Sequence, residues 1–228
     1  MFYPTISPYL INILQACIAQ QYFPQIWKKS LVAVIPKVGR SDYKLPSSFR
    51  PISLLSTLGK VLEKIIQRRL VFLSDSHKWL SDRQHGFRHG HSTITALHEV
   101  VSRIEEGFSH GAYTSCLLLD IKGAFDNITH QGIIDCLVKK GCTSYLVNIL
   151  KGFLFNRTAL LQLNDNSLLC HLHKGCPQGS SLSPFLWNVV CDDILASVLP
   201  KGVHIQGFAD DISHIKTGIT MKSMQCPL

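Results

Sequence analysis

The chain has 228 residues, 46% of them apolar, with 23 lysines and arginines against 15 acidic residues and a formal charge of +8. That much apolar material supports a folded domain with a real core and excludes a disordered chain. No apolar run approaches the ~18 residues of a membrane helix, and the first lysine, Lys28, follows the N-terminal apolar stretch instead of preceding it, unlike a secretory signal.

The positive balance suits a polyanionic partner, nucleic acid before an anionic membrane. Eight cysteines without a Cys-x-x-Cys pair, several inside apolar runs, read as reduced, buried thiols of an intracellular protein, nuclear or cytoplasmic.

In chain order, residues 9–20 form a first helix that ends before Phe23-Pro24, and residues 30–35 form a short strand closed by Pro36. Residues 37–51 read as a polar loop carrying Lys37, Arg40, Lys44 and Arg50. From Leu58 the apolar residues Val61, Leu62, Ile65, Ile66 and Leu73 follow a helical period, with Lys60, Lys64 and Arg68 along another face. That basic stripe is most often a solvated face; contact with a phosphate backbone is the minority reading.

A turn-rich basic segment follows, Gln84-His85-Gly86-Phe87-Arg88-His89-Gly90-His91, and then Ser92 or Thr93 caps a helix to about residue 104. Residues 113–119 read as an apolar run broken only by Thr114 and Ser115, which predicts a strand buried on both faces and ending at Asp120. Residues 130–140 and 144–155 read as helices, and 158–173 as a hairpin around Asn164-Asp165-Asn166. Ser183-Pro184 supplies an N-cap and first turn for a helix carrying Phe185, Leu186, Val189, Val190 and Ile194. The last element is a hairpin with Asp210 and Asp211 at its tip.

Three carboxylates carry the candidate chemistry. Asp120 stands at a strand end, and Phe208-Ala209-Asp210-Asp211 puts two aspartates side by side in an apolar frame. An ordinary turn accounts for an isolated Asp-Asp pair. A divalent cation is the alternative, since unneutralised neighbouring carboxylates repel and hard cations take oxygen ligands. Gly175-Cys176-Pro177-Gln178-Gly179-Ser180 is a glycine-rich loop ahead of a helix, suited to close approach of a ligand. Lys37 and Arg50 are candidate phosphate contacts, each more often a plain surface charge. Cys170, His171, His173 and Cys176 are zinc-type side chains, but the segment reads as a strand whose alternate residues point apart. The histidines His85, His89 and His91 read as part of a basic, template-facing loop.

Seven blocks in this order resemble the reverse transcriptase domain of non-LTR (LINE-type) retrotransposons. They are Trp27-Lys28 with Ile35-Pro36-Lys37; Phe49-Arg50-Pro51-Ile52-Ser53-Leu54-Leu55; Gly59-Lys60-Val61-Leu62-Glu63-Lys64; and Gln84-His85-Gly86-Phe87-Arg88 with His91-Ser92-Thr93. Asp120-Ile121-Lys122-Gly123-Ala124-Phe125-Asp126, Pro177-Gln178-Gly179-Ser180 with Leu182-Ser183-Pro184, and Phe208-Ala209-Asp210-Asp211 complete the set.

The resemblance implies an α+β right-hand polymerase of fingers and palm, with an antiparallel palm sheet and packed helices; the thumb that follows in the family is expected to be absent, because the chain ends soon after Asp211. Its parts would be a helical lead-in (1–29), a fingers-like region (30–110), a palm (111–220) and a short tail (221–228), one domain over about 20–216. Asp120 and Asp210 would bind two Mg²⁺ ions, for which Mn²⁺ can substitute, with Asp211 in support and the Ile121 carbonyl as a backbone ligand. Lys37 and Arg50 would hold a dNTP triphosphate, Phe125 would exclude a ribose 2′-hydroxyl, and Gln178 and Gly179 would border nucleotide and template. Asp126 reads as a structural cap. The implied partners are an RNA template, a DNA primer and dNTPs, with no membrane and no protein partner deducible. Because the chain ends soon after Asp211, the expectation is weak or absent processive synthesis. The rival readings are an inactive or co-opted nucleic-acid-binding remnant and an RNA-dependent RNA polymerase palm.

Overall fold

The computed structural model describes residues 3–163 and 165–218. In chain order the elements are α1 (Tyr3–Ala19), β1 (Lys29–Pro36), β2 (Phe49–Leu54), α2 (Thr57–His77), α3 (Thr93–Ser109), β3 (Tyr113–Asp120) and α4 (Ala124–Asn127). There follow α5 (His130–Lys139), α6 (Ser144–Leu154), β4 (Arg157–Leu163), β5 (Asn166–Leu172), α7 (Ser183–Leu195), β6 (Val203–Phe208) and β7 (Asp211–Gly218). The architecture is mixed α+β. Two compact units interleave along the chain, the first from Met1–Ser76 and Phe125–Ser183, the second from His77–Ala124 and Pro184–Leu228. The expected tail, 221–228, and Asn164 of the expected hairpin lie outside the described residues.

The first unit holds a sheet in the order β2-β1-β4-β5, antiparallel except for the parallel β1–β4 pair. Helix α1 begins before the expected residue 9 and includes Pro8. The expected loop 37–51 is shorter than the sequence suggested, because Phe49, Arg50 and Pro51 are already in β2. Pro51 argues against a central strand, but β2 is an edge, where a missing N–H is tolerated.

The core of this unit is Phe23, Trp27, Leu62, Ile66 and Leu70 with Ile133, Leu137, Leu146, Ile149, Leu150, Phe153 and Leu154. Phe23 meets the edges of Phe153 and Trp27, ring centres 5.4 and 6.1 Å apart. Helix α2 is turned differently from the expectation. Leu62, Glu63, Ile66 and Leu70 are buried while Val61 is exposed, because the apolar residues of the helix cover more than one face and packing buries only the Leu62-Ile66-Leu70 line.

His130, at the start of α5, is buried and donates from Nε2 to the Gly175 carbonyl, 3.0 Å away. Burial holds this imidazole below its ordinary value, outweighing that hydrogen bond, and the charges of Arg157 and His173 push the same way. The unfolded chain therefore takes up the proton first. The stabilisation is present above pH about 6.5, the unfolded value, and is lost as pH falls through the lower folded value. Urea midpoints should accordingly fall between pH 7.5 and 5. His130→Gln should flatten part of that fall, the remainder coming from His85, His91 and His204, which burial also holds down. An unchanged slope in the variant would show that His130 does not bear the load.

The second unit is built on an antiparallel sheet in the order β3-β7-β6. Ser92 caps α3 in a reciprocal capping box with Thr95, and the helix runs on to Ser109, past the expected residue 104. Gln206 donates from β6 to the Ala96 carbonyl at 2.8 Å. Helix α7 is buried nearly all round, through Phe185, Leu186, Trp187, Asn188, Val189, Cys191, Asp192 and Leu195, while the expected core residue Ile194 is exposed. Ser183 is its first residue and donates its hydroxyl to the Pro177 carbonyl, so it does not act as the expected N-cap.

Strand β3 corrects the expectation of burial on both faces. Leu117, Leu118 and Leu119 are all exposed, Leu118 to 75%. The apolar run suggested a central strand of a parallel sheet, but the sheet is antiparallel and β3 is its edge. The thiols divide similarly: Cys17, Cys176 and Cys191 are buried, whereas Cys116 and Cys170 are exposed.

Candidate active site

The site is built on the β6–β7 hairpin. Phe208 pairs with Asp211, so Ala209 and Asp210 form a two-residue turn. Such turns favour a positive φ at their first central position, and Ala209 has φ 58°. For an L-residue this costs about 1 kcal/mol, so the surroundings must hold the turn. On the other side of β7 the register places Asp120 of β3 directly opposite Asp211, and the Ile121 N–H donates to the Asp210 carbonyl at 3.3 Å. Asp120 and Asp211 thus rise from the same face of neighbouring strands, with Cβ atoms about 5 Å apart.

Like charges in that position oppose each other. Asp120 and Asp211 are exposed, Asp210 is half-buried, and among the described residues none of the three has an ion-pair partner. The Ile121 carbonyl accepts from the Ala124 N–H at 3.1 Å, which leaves one lone pair.

Among the described residues no three His, Cys, Asp or Glu side chains close into a metal cage. A cage is not required, because Mg²⁺ is commonly held by one or two carboxylates, with waters and substrate phosphates completing its shell. An unneutralised, oxygen-only pair opening to solvent fits such an ion.

The other five candidates belong to the first unit. Gln178 is tied to β2, its carbonyl accepting from the Ser53 N–H at 2.9 Å. Gly179 has φ 109°, and a Cβ there would lie 2.9 Å from the Ser53 carbonyl oxygen, so both conformation and contact demand glycine. The Gln178 amide reaches Asp126 at 3.4 Å, and both border a cleft of about 280 Å³ lined also by Ser53, Gly175 and Cys176. Phe125 is half-buried, its carbonyl accepting from the Cys176 N–H at 2.7 Å. Arg50 is exposed on β2. Lys37 donates from Nζ to the Ser47 carbonyl at 2.9 Å.

The segment expected to face a template is instead largely internal. Gln84, His85 and Gly86 are buried. Gln84 bridges to Gly207, the His85 N–H donates to the Gly207 carbonyl at 2.8 Å, and the Gly207 N–H donates to the Arg83 carbonyl at 2.9 Å. The segment therefore borders β6 as a short parallel addition, since its backbone groups satisfy the edge of that strand. Within the segment Phe87, His89 and Gly90 are exposed.

Sequence reasoning missed Glu63, Trp187 and Asn188. Glu63 is 1% exposed, and its Oε2 accepts from the Ser180 hydroxyl at 2.6 Å and the Ser181 N–H at 3.0 Å, anchoring the loop that carries Gln178 and Gly179. The available signal was a carboxylate beside Leu62 on an apolar helical stripe. For Asn188 it was an amide inside the apolar stretch 185–191.

Residues 35–221 match the family described as reverse transcriptase (RNA-dependent DNA polymerase). The chain is 34% identical over 211 residues to a probable RNA-directed DNA polymerase from transposon BS of Drosophila melanogaster, covering 90% of this chain and 23% of that protein. It is 33% identical over 209 residues to the RNA-directed DNA polymerase from mobile element jockey of the same organism, covering 89% and 23%. The chain thus spans about a quarter of the length of these relatives. Among solved structures, apo telomerase from Candida tropicalis, truncated from the C-terminal domain, superposes with a TM-score of 0.62 at 12% identity, over 89% of this chain and 45% of that one. At that identity the likeness is one of fold.

Proposed function

Because this chain belongs to the reverse transcriptase (RNA-dependent DNA polymerase) family, we propose that it carries the carboxylate centre of an RNA-directed DNA polymerase of the non-LTR retrotransposon kind. The observation that supports this reading best is the register that sets Asp120 against Asp211 at the hairpin whose turn holds Asp210. The reaction is attack of a primer 3′-hydroxyl on the α-phosphate of a dNTP, with release of pyrophosphate. Two divalent cations, Mg²⁺ or Mn²⁺, supply charge neutralisation for the attacking and leaving oxygens when bound.

The protein's own groups hold and orient. Asp120 and Asp210 are the principal ligands, Asp211 supports them, and the Ile121 carbonyl offers its free lone pair. Lys37 and Arg50 bind the triphosphate, Lys as a point charge and Arg as a planar fork. Phe125 rejects a ribose 2′-hydroxyl by its bulk, and Gln178 and Gly179 border the nucleotide and template. The +8 charge supports an RNA template and DNA primer as partners.

The test is primer extension on poly(rA) with oligo(dT), dTTP and Mg²⁺. Short Mg²⁺-dependent products, absent in Asp210→Asn and not replaced when UTP is supplied, are the expected outcome. Salt-dependent RNA binding without any extension, unchanged in Asp120→Asn and Asp210→Asn, would favour the nucleic-acid-binding remnant.

A further inference from the structure

The positive φ of Ala209 is held from two sides by residues that the reading above does not use. On one side stands Gly86. A Cβ at that position would lie 2.1 Å from the Ala209 nitrogen, 2.9 Å from its Cα and 3.1 Å from the Phe208 carbonyl carbon. The backbone of residue 86 is therefore pressed against the peptide that enters the turn, at a distance only glycine permits. On the other side, Trp187 of α7 donates its indole Nε1–H to the Ala209 carbonyl at 2.7 Å. That carbonyl belongs to the peptide joining Ala209 to Asp210, so its direction sets how Asp210 leaves the turn.

Asn188, the next residue of α7, closes the arrangement. It is 0% exposed, and its Nδ2 donates to the Gly86 carbonyl at 2.8 Å. The Gly86 N–H is in turn taken by Gln84 Oε1 at 3.2 Å. One helix thus fixes both jaws, the turn through Trp187 and the glycine that abuts it through Asn188. An alanine at positive φ is a strained conformation that persists only where its surroundings over-determine it. Here the surroundings are these three residues, and the strained unit is the one that aims a candidate ligand.

We propose that Gly86, Trp187 and Asn188 are positioning residues that clamp the Ala209-Asp210 turn in its cation-binding geometry. The proposal rests on the carboxylate reading of the preceding subsection and extends it from the ligands to what orients them. Without the indole donor the Ala209–Asp210 peptide loses the hydrogen bond that fixes its carbonyl, and Asp210 is aimed less firmly relative to Asp120. Loss of such outer support lowers metal affinity roughly 10–100-fold.

The experiment is Mn²⁺ binding to the full chain, with free Mn²⁺ read by electron paramagnetic resonance, beside urea unfolding of each variant. Trp187→Phe keeps the ring and removes the donor. It is expected to weaken Mn²⁺ binding at least about 10-fold. Adding Ala209→Gly to that variant should recover several-fold, because glycine adopts the same φ without the steric penalty. Gly86→Ala, which attacks the turn from the opposite side, should weaken binding in the same direction and serves if Trp187→Phe fails to fold.

Mn²⁺ affinity within about twofold of wild type in folded Trp187→Phe or Gly86→Ala, while Asp210→Asn abolishes binding, overturns the clamp and leaves the carboxylate reading standing. Weakened binding that Ala209→Gly does not restore also overturns it, since general loosening of the unit then suffices. Unchanged binding in both Asp120→Asn and Asp210→Asn removes the carboxylate reading, and the clamp with it.

Discussion

Replacing Asp120 by asparagine is expected to lower Mg²⁺-dependent nucleotide addition on the order of 10³-fold, the loss seen when one preorganised charge-stabilising group is removed, while leaving the fold intact. Asp120 is exposed at the end of β3, without an ion-pair partner among the described residues, and stands opposite Asp211. In EDTA the substitution removes a cross-strand repulsion, so the variant should unfold at slightly higher urea, by a few tenths of a kcal/mol and at most about 1. Added Mg²⁺ reverses the order. A ligand that binds only the folded state stabilises it by mass action, so wild type should gain stability with rising Mg²⁺ and Asp120→Asn should gain little. Equal stabilisation of the two by Mg²⁺ would show that Asp120 is no ligand. The double measurement separates loss of chemistry from loss of structure, which activity alone cannot do.

The largest effect on stability is expected at Glu63. Its carboxylate is almost wholly buried and receives the Ser180 hydroxyl and the Ser181 N–H. Burial pushes its pKa up, and the two hydrogen bonds and the nearby charges of Arg157 and Lys60 offset part of that rise. Arg157 is itself 1% exposed and donates from Nη1 to the Phe153 carbonyl at 3.0 Å. Burial pulls its pKa down to about 10, and the Glu63 charge acts against that fall.

Glu63→Ala would strand two donors and leave Arg157 without its compensating charge. The expected cost is about 3 kcal/mol in urea unfolding, together with loosening of the loop that carries Gln178 and Gly179. Glu63→Gln keeps an acceptor oxygen and should cost about 1 kcal/mol. The sign with pH follows from the raised pKa. The wild-type contribution is full below the ordinary value of about 4.3 and is lost as pH rises through the folded value. The gap between Glu63→Gln and wild type should therefore narrow as pH rises through that window. A gap that widens would mean that the ionised carboxylate is the favoured form in the fold.

Much of the candidate site could be read in advance because it is local. Phe208-Ala209-Asp210-Asp211 reads as a hairpin tip because apolar stretches flank the aspartate pair, and Asp120 ends a strand because the apolar run stops there. Misreadings occur where a residue's role depends on which neighbour arrives. Gln84-His85-Gly86 read as part of a turn-rich, basic, template-facing loop because its composition is polar and glycine-bearing, yet its backbone meets β6 and it is buried. Glu63 was given no role of its own in the sequence, because only the fold brings its carboxylate to the Ser180 hydroxyl.

Most of the elements, the hairpin around the aspartate pair and the family were legible in the sequence, since turn residues, helical periods and motif order are properties of neighbouring positions, but β2 and α4 were not. Tertiary structure alone decided which face of α2 is buried, that β3 is an exposed edge, and that Asp120 stands opposite Asp211. The reason is physical. Local pattern says which faces a segment could bury, but partner and register are set by distant backbone groups, and a one-residue slip in pairing would turn every side chain of β3 to the other face. The same long-range pairing brings Gly86 and Trp187 to the two sides of Ala209 and gives a strained turn its support.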